Sequence, residues 1–146
     1  MTVHEHLAAD HTLLRNQIAE IQHAVTKAPG KVAELYALLH AEIRKHLQKE
    51  DLVYYRVLDG NKQITDRNLM HDLRNDHAAV LFALESLAIK LRKAMPIEEW
   101  SKKFKTMTDV FLPHLDQEEK QLFPQADRLL SPTLHQQILD EIQKLA

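Results

Sequence analysis

Apolar residues recur along this chain at spacings of three, four and seven, the mark of amphipathic helices rather than of alternating strands. Leu7, Leu14, Ile18, Ile21 and Val25 form the first stripe, and Thr2 with Glu5 three residues later makes a capping box ahead of it. A first helix is predicted over about 3–27. Pro29-Gly30 breaks the pattern, after which Tyr36, Leu39, Ile43, Val53 and Val57 mark a second helix over about 31–58 that ends at Asp59-Gly60-Asn61. Met70, Leu73, Val80, Leu84, Leu87 and Leu91 predict a third over about 67–94, capped by Thr65 or Asp66 and closed by Pro96. Trp100, Phe104, Met107 and Phe111 belong to a fourth that starts near 97, continues past Pro113 to about 123 and bends or breaks around Pro124. Ser131-Pro132 opens a short amphipathic segment with Leu134, Ile138, Ile142 and Leu145. Short connections make successive helices antiparallel neighbours. The expected fold is all-α: an up-down-up-down four-helix bundle over about 3–130, with a short fifth helix over about 132–145 capping it, in a single domain spanning 1–146.

Polar residues interrupt each stripe where the period demands a buried one. His11 stands between Leu7 and Leu14, His46 and Glu50 between Ile43 and Val53, His77 between Leu73 and Val80, and His114 and Glu118 between Phe111 and Leu122. A His and a Glu four residues apart share one helical face about 6 Å apart, close enough to chelate one centre. Depth agrees: His11 lies 16 residues before Lys27, and His46 lies 15 after Lys31. In the second hairpin His77 is 17 residues before Ala94 and His114 is 17 after Ile97. The chain also repeats. Ala9-Asp10-His11 parallels Asn75-Asp76-His77, and the run from His46 to Asp51 parallels that from His114 to Glu119, at offsets of 66 and 68. A duplicated helical hairpin is the economical reading.

Composition narrows the chemistry. A net charge of -2 with interspersed signs offers no basic stripe for a nucleic acid. No apolar run is long enough to cross a bilayer, and the first residues lack the pattern of a secretion signal, so a soluble, cytoplasmic protein is expected. With no Cys, any metal is held through N and O, and ten His supply the nitrogen. Burying two carboxylates and four imidazoles with no Lys or Arg among them costs several kcal/mol per unpaired charge. Metal cations supply the compensation, and mixed His and carboxylate ligation in a bundle suits iron, manganese or zinc. The bland alternative is a polar core layer that fixes the register of the bundle.

This pattern resembles the hemerythrin-like, or HHE cation-binding, family of diiron bundles. The likeness covers about residues 4–130 and rests on the Asp-His pairs, the two H-x-x-x-E motifs and the run Glu118-Glu119-Lys120-Gln121-Leu122-Phe123-Pro124. The resemblance implies that His11, His46, His77 and His114 are terminal ligands and that Glu50 and Glu118 bridge two iron ions, together with a bridging oxo or hydroxo group. Oxygen carriers of the family have a further histidine where Leu73 stands, so a more open, reactive or sensing centre gains weight over reversible oxygen carriage. Three functions follow as expectations. One is a diiron protein that binds or senses dioxygen, nitric oxide, peroxide or iron. Another is a diiron peroxidase or nitric-oxide-reducing enzyme, and the third is a zinc-bound or metal-free interaction bundle with an unidentified protein partner. Around the site, Tyr54 is one turn beyond Glu50 and is the candidate donor to a carboxylate or bound ligand, while Tyr55 is assigned to packing. Asp10 and Asp76 are read as solvated, as are His4, His6, His23, His40, His71 and His135.

Overall fold

The computed structural model describes residues 1–61 and 66–145, and these contain helices and no strand. The first stripe forms α1 (Val3–Lys27), where the Thr2 hydroxyl accepts from the Glu5 N–H. A 3-10 turn at Pro29–Lys31 leads into α2 (Val32–Lys49), which runs on through a π-helical turn (Glu50–Tyr54) into α3 (Tyr55–Asp59). Thr65 lies outside the described residues, but the Asp66 carboxylate caps α4 (Arg67–Arg92) by accepting from the Asn68 and Leu69 N–H groups. α4 stops two residues before the expected end, with Ala94 in the left-handed region (φ 57°) and the Met95 N–H closing back on the Lys90 carbonyl. α5 (Ile97–Gln117), a second π turn (Glu118–Leu122) and α6 (Phe123–Asp127) form the fourth rod, and Ser131 caps α7 (Pro132–Gln143).

The rods pack in the cyclic order α1, α2, α4, α5 and back to α1, as an up-down-up-down bundle requires, while α7 lies against α1 and the first π turn. No helix among the described residues is long and apolar enough to cross a membrane. Two apolar clusters fill the interior. One, at the end nearest the Pro29 turn, holds Leu14, Ile18, Tyr36, Ile43, Leu84 and Phe111, with Trp100 stacked on Phe104. The other holds Leu7, Tyr54, Tyr55, Leu73, Phe123 and the inner face of α7. Each fully buried large side chain contributes about 1.5–3 kcal/mol, so α7 stays docked through Ile138, Leu139 and Ile142.

Pro124 does not break the fourth rod. The π turn before it carries one residue more than an α turn, with the Phe123 N–H bonded to the Glu118 carbonyl. Pro124 then falls in the first turn of α6, where its missing N–H costs little. The second rod has the same turn 68 residues earlier, the Tyr55 N–H bonding the Glu50 carbonyl. Period counting cannot see either insertion, and both change what faces the site.

Candidate metal centre

His11 on α1, His46 on α2, His77 on α4 and His114 on α5 converge between the two apolar clusters, and each π turn contributes its first residue, Glu50 or Glu118. None of the six is more than 3% exposed. Their donor atoms form two overlapping groups. His11, His46, Glu50 and Glu118 make one and Glu50, His77 and His114 the other, each within 4.8 Å across. Glu50 Oε1 lies 3.3 Å from His46 Nε2 and 3.1 Å from His77 Nε2. Glu118 Oε1 lies 3.5 Å from His11 Nε2 and 3.2 Å from His114 Nε2. His77 Nε2 and His114 Nε2 are 3.0 Å apart.

These spacings fit a cation. Ligands about 2.1 Å from a metal stand about 3 Å apart when adjacent and about 4.2 Å when opposite. The donors are also short of partners: His11 Nε2, His46 Nε2, Glu118 Oε1 and both oxygens of Glu50 are buried without a hydrogen bond. Leaving one such group unsatisfied costs about 1–3 kcal/mol, and more when it is charged. Five in one layer is a set that nitrogen- and oxygen-loving cations satisfy.

Outside the donors runs a ring of acids. Asp10 on α1 accepts from His46 Nδ1 on α2 at 3.0 Å, and Asp51 after α2 accepts from His77 Nδ1 on α4 at 2.7 Å. Asp76 on α4 accepts from His114 Nδ1 on α5 at 3.1 Å. Glu119 after α5 closes the circle 3.3 Å from His11 Nδ1, the loosest of the four contacts. Each acid is the chain neighbour of an inward residue. A step of one residue turns about 100° around a helix, and in a bundle that direction faces the adjacent helix, not water. Asp10 and Asp76 are therefore not merely solvated. An imidazole that donates Nδ1–H to an acid keeps its Nε2 lone pair for a metal, the usual outer-sphere device of histidine ligands. Lys49 Nζ backs Asp10 at 2.8 Å, and Arg15 pairs with Glu119.

The acids set the charge state of the metal-free layer. Burial alone lowers an imidazole's pKa, but Glu50 and Asp10 outweigh it at His46, and Asp51 and Glu50 at His77, pushing each up to about 10. His114 moves up as well, burial losing to Glu118. Burial raises Glu118, but the closeness of Glu50, His11 and His114 holds it well below the usual carboxylate range. Burial likewise opposes ionisation of Asp10, but its hydrogen bonds with His46 and Lys49 overcome that and hold its carboxyl well below the usual range. Cutting one link should show its worth. Replacing Asp51, 37% exposed, by alanine is expected to weaken metal affinity about 10–100-fold with the fold intact, as read by competition against a chromophoric chelator.

The tyrosines exchange their expected roles. In the π turn the residue five positions on, not four, stacks over Glu50, so Tyr55 takes the place expected of Tyr54. Tyr55 O–H donates to Glu118 Oε2 at 2.8 Å, lies 3.3 Å from His77 Nε2, and its ring stacks on His77. Tyr54 O–H instead bonds His4 Nε2 at 2.5 Å. His4 and His135, expected on the surface, are buried beside Asp127 at the α7 end. His40 is half-buried against Glu85, whereas His23 and His71 are exposed. The repeated acids of Asp10-His11, Asp76-His77, Glu50-Asp51 and Glu118-Glu119 were a readable signal for the ring. His4 shares the face of His11 and His135 that of Ile138 and Ile142, but no motif joined the two.

The family described as hemerythrin HHE cation binding domain matches this chain over residues 2–126. No curated protein and no solved structure gives a match.

Proposed function

This chain belongs to the hemerythrin HHE cation-binding family, and from that premise we propose that its buried layer holds two iron ions and binds or senses dioxygen, nitric oxide or peroxide. The observation that carries the reading is the pair of overlapping donor groups sharing Glu50, with five donor atoms that lack a hydrogen bond in a buried layer. His11, His46, Glu50 and Glu118 would hold one ion. His77, His114 and Glu50 would hold the other, with Glu118 Oε1 3.2 Å from His114 Nε2 beside them. Once bound, iron supplies Lewis acidity and one-electron redox chemistry toward small ligands.

The chain's own residues do the rest. The acid ring fixes the tautomer and plane of His46, His77 and His114, so their Nε2 atoms face inward, and Glu119 stands 3.3 Å from His11 Nδ1. Tyr55 ties down Glu118 Oε2, which aims Oε1 at His11 and His114. Phe123 stacks over His11, and Leu73 lies fully buried one turn before His77, so these two side chains wall the layer with apolar surface. That wall favours small neutral guests over ions. It also leaves the second donor group one nitrogen short of a carrier-type site. A peroxidase or nitric-oxide-reducing activity is the second reading, and the Tyr55 hydroxyl 3.3 Å from His77 Nε2 favours it as a positioned proton donor.

Metal analysis of protein purified from its own cells tests both. About two irons per chain is expected, with absorption bands that respond when the reduced sample meets air, nitric oxide or peroxide. Turnover of peroxide or nitric oxide separates the second reading from the first. Zinc or no metal would sink the iron reading and favour an interaction bundle.

A further inference from the structure

A second polar cluster closes the α7 end of the bundle, built from His4 on α1, Tyr54 in the first π turn, Asp127 on α6 and His135 on α7. Its hydrogen bonds fix where the protons are. The Val3 N–H donates to His135 Nδ1 at 3.3 Å, so His135 carries its proton on Nε2, which faces Asp127 Oδ1 at 3.6 Å. The Asp127 carboxylate only accepts, so the 2.6 Å contact with His4 is Nδ1–H donating to Oδ1. His4 Nε2 is then a lone pair, and Tyr54 O–H donates to it at 2.5 Å. Two imidazoles and one carboxylate lie within the span of a cation site, but neither imidazole has a lone pair left to offer. The cluster is a proton chain from a fully buried phenol to a half-exposed carboxylate.

Among the described residues, the Tyr54 O–H has a neutral imidazole as its acceptor, whereas the Tyr55 hydroxyl is held between Glu118 Oε2 and His77 Nε2. Tyr36 O–H donates to the Leu84 carbonyl at 2.6 Å and Trp100 Nε1–H to the Leu87 carbonyl at 3.1 Å, and an amide oxygen is no base. Tyr55 donates to Glu118. A phenol is oxidised by one electron far more readily when its proton has a base to go to, because the alternative is a strongly acidic phenol radical cation stranded in an apolar site.

We propose that Tyr54 is a redox-active tyrosine with His4 as its proton acceptor. Tyr54 gives one electron to a high-potential one-electron acceptor, which is reduced by that electron. In the same step the phenolic proton moves to His4 Nε2, leaving a neutral phenoxyl radical and an imidazolium held by Asp127. Re-reduction by a one-electron donor returns the proton. Aromatic rings lead from Tyr54 toward the buried layer in two directions, by Tyr55 (5.9 Å between centroids) to His77 (5.0 Å), and by Phe123 (6.0 Å) to His11 (5.9 Å). Peroxide reduction in that layer is the class of reaction that produces such acceptors. This link rests on the metal reading, whereas the chemistry of Tyr54 does not.

The test is flash photo-oxidation of the full-length chain as purified, with a photogenerated ruthenium(III) tris-bipyridine complex as the acceptor. A long-lived phenoxyl band with the matching electron paramagnetic resonance spectrum is expected. Tyr54→Phe should abolish it, and Tyr36→Phe should leave it unchanged. His4→Gln should slow radical formation about a hundredfold and erase its solvent deuterium isotope effect. Asp127→Asn, at an exposed position, should slow it in the same direction and serves if His4→Gln does not fold. A long-lived radical that survives Tyr54→Phe, or formation kinetics untouched by both the His4 and Asp127 variants, overturns the proposal.

Discussion

Glu50→Gln is expected to empty both metal positions together, taking the chain from about two ions to nearly none, whereas His114→Ala should spare the ion beside His11 and His46. The asymmetry follows from the donor groups, since Glu50 belongs to both and His114 to one. An amide nitrogen in place of one oxygen removes the negative charge and half of the acceptor set that two cations share. It also offers an N–H to His46 and His77, which turn to hydrogen-bonding it in place of a metal. Metal content per chain, measured after gel filtration, decides. If Glu50→Gln kept one tightly held ion while His114→Ala lost both, the shared role of Glu50 would be wrong.

The second large effect is that pH should move metal-free and metal-loaded protein in opposite directions. In the metal-free chain His46 and His77 stay protonated up to about pH 10 because Glu50, Asp10 and Asp51 surround them. A pKa raised on folding means that the native state binds more protons than the unfolded chain between the ordinary histidine value and 10. That stabilisation is complete below about pH 6.5 and is lost as pH climbs toward 10. Metal needs the same nitrogens deprotonated, so affinity rises across the same window and loading releases protons. Melting temperatures of stripped and loaded protein at pH 6 and pH 9 test this. The gap should widen at pH 9, with the stripped protein falling and the loaded protein holding. A stripped protein more stable at pH 9 than at pH 6 would reject it.

The bundle and the six inward residues were legible because helices report themselves by period, and a polar residue on an apolar stripe is an anomaly with a definite depth. His11 and His46 could be matched by counting from the Pro29 turn, and His77 and His114 from Pro96. What resisted reading lay off that stripe. Asp10, Asp51, Asp76 and Glu119 sit one residue from an inward neighbour, a direction that counts as outside on a single helix and as interface in a bundle. Tyr54 and Tyr55 swapped because a π turn adds a residue without altering the hydrophobic pattern around it. His4, Asp127 and His135 meet only when α7 folds back onto α1, a contact between residues more than a hundred positions apart.

The order in which the acids serve the histidines has a further meaning. Asp10 to His46 is a link inside the first hairpin, and Asp76 to His114 is its equivalent inside the second. Asp51 to His77 and Glu119 to His11 both cross from one hairpin to the other. Two identical hairpins related by a twofold axis would generate that alternation of inner and crossing links on their own. The covalent join between the halves is therefore not what defines the site. Residues 1–61 and 66–146, made as separate polypeptides, carry complementary halves of one closed circuit, and each is left with two unanswered partners until it finds the other.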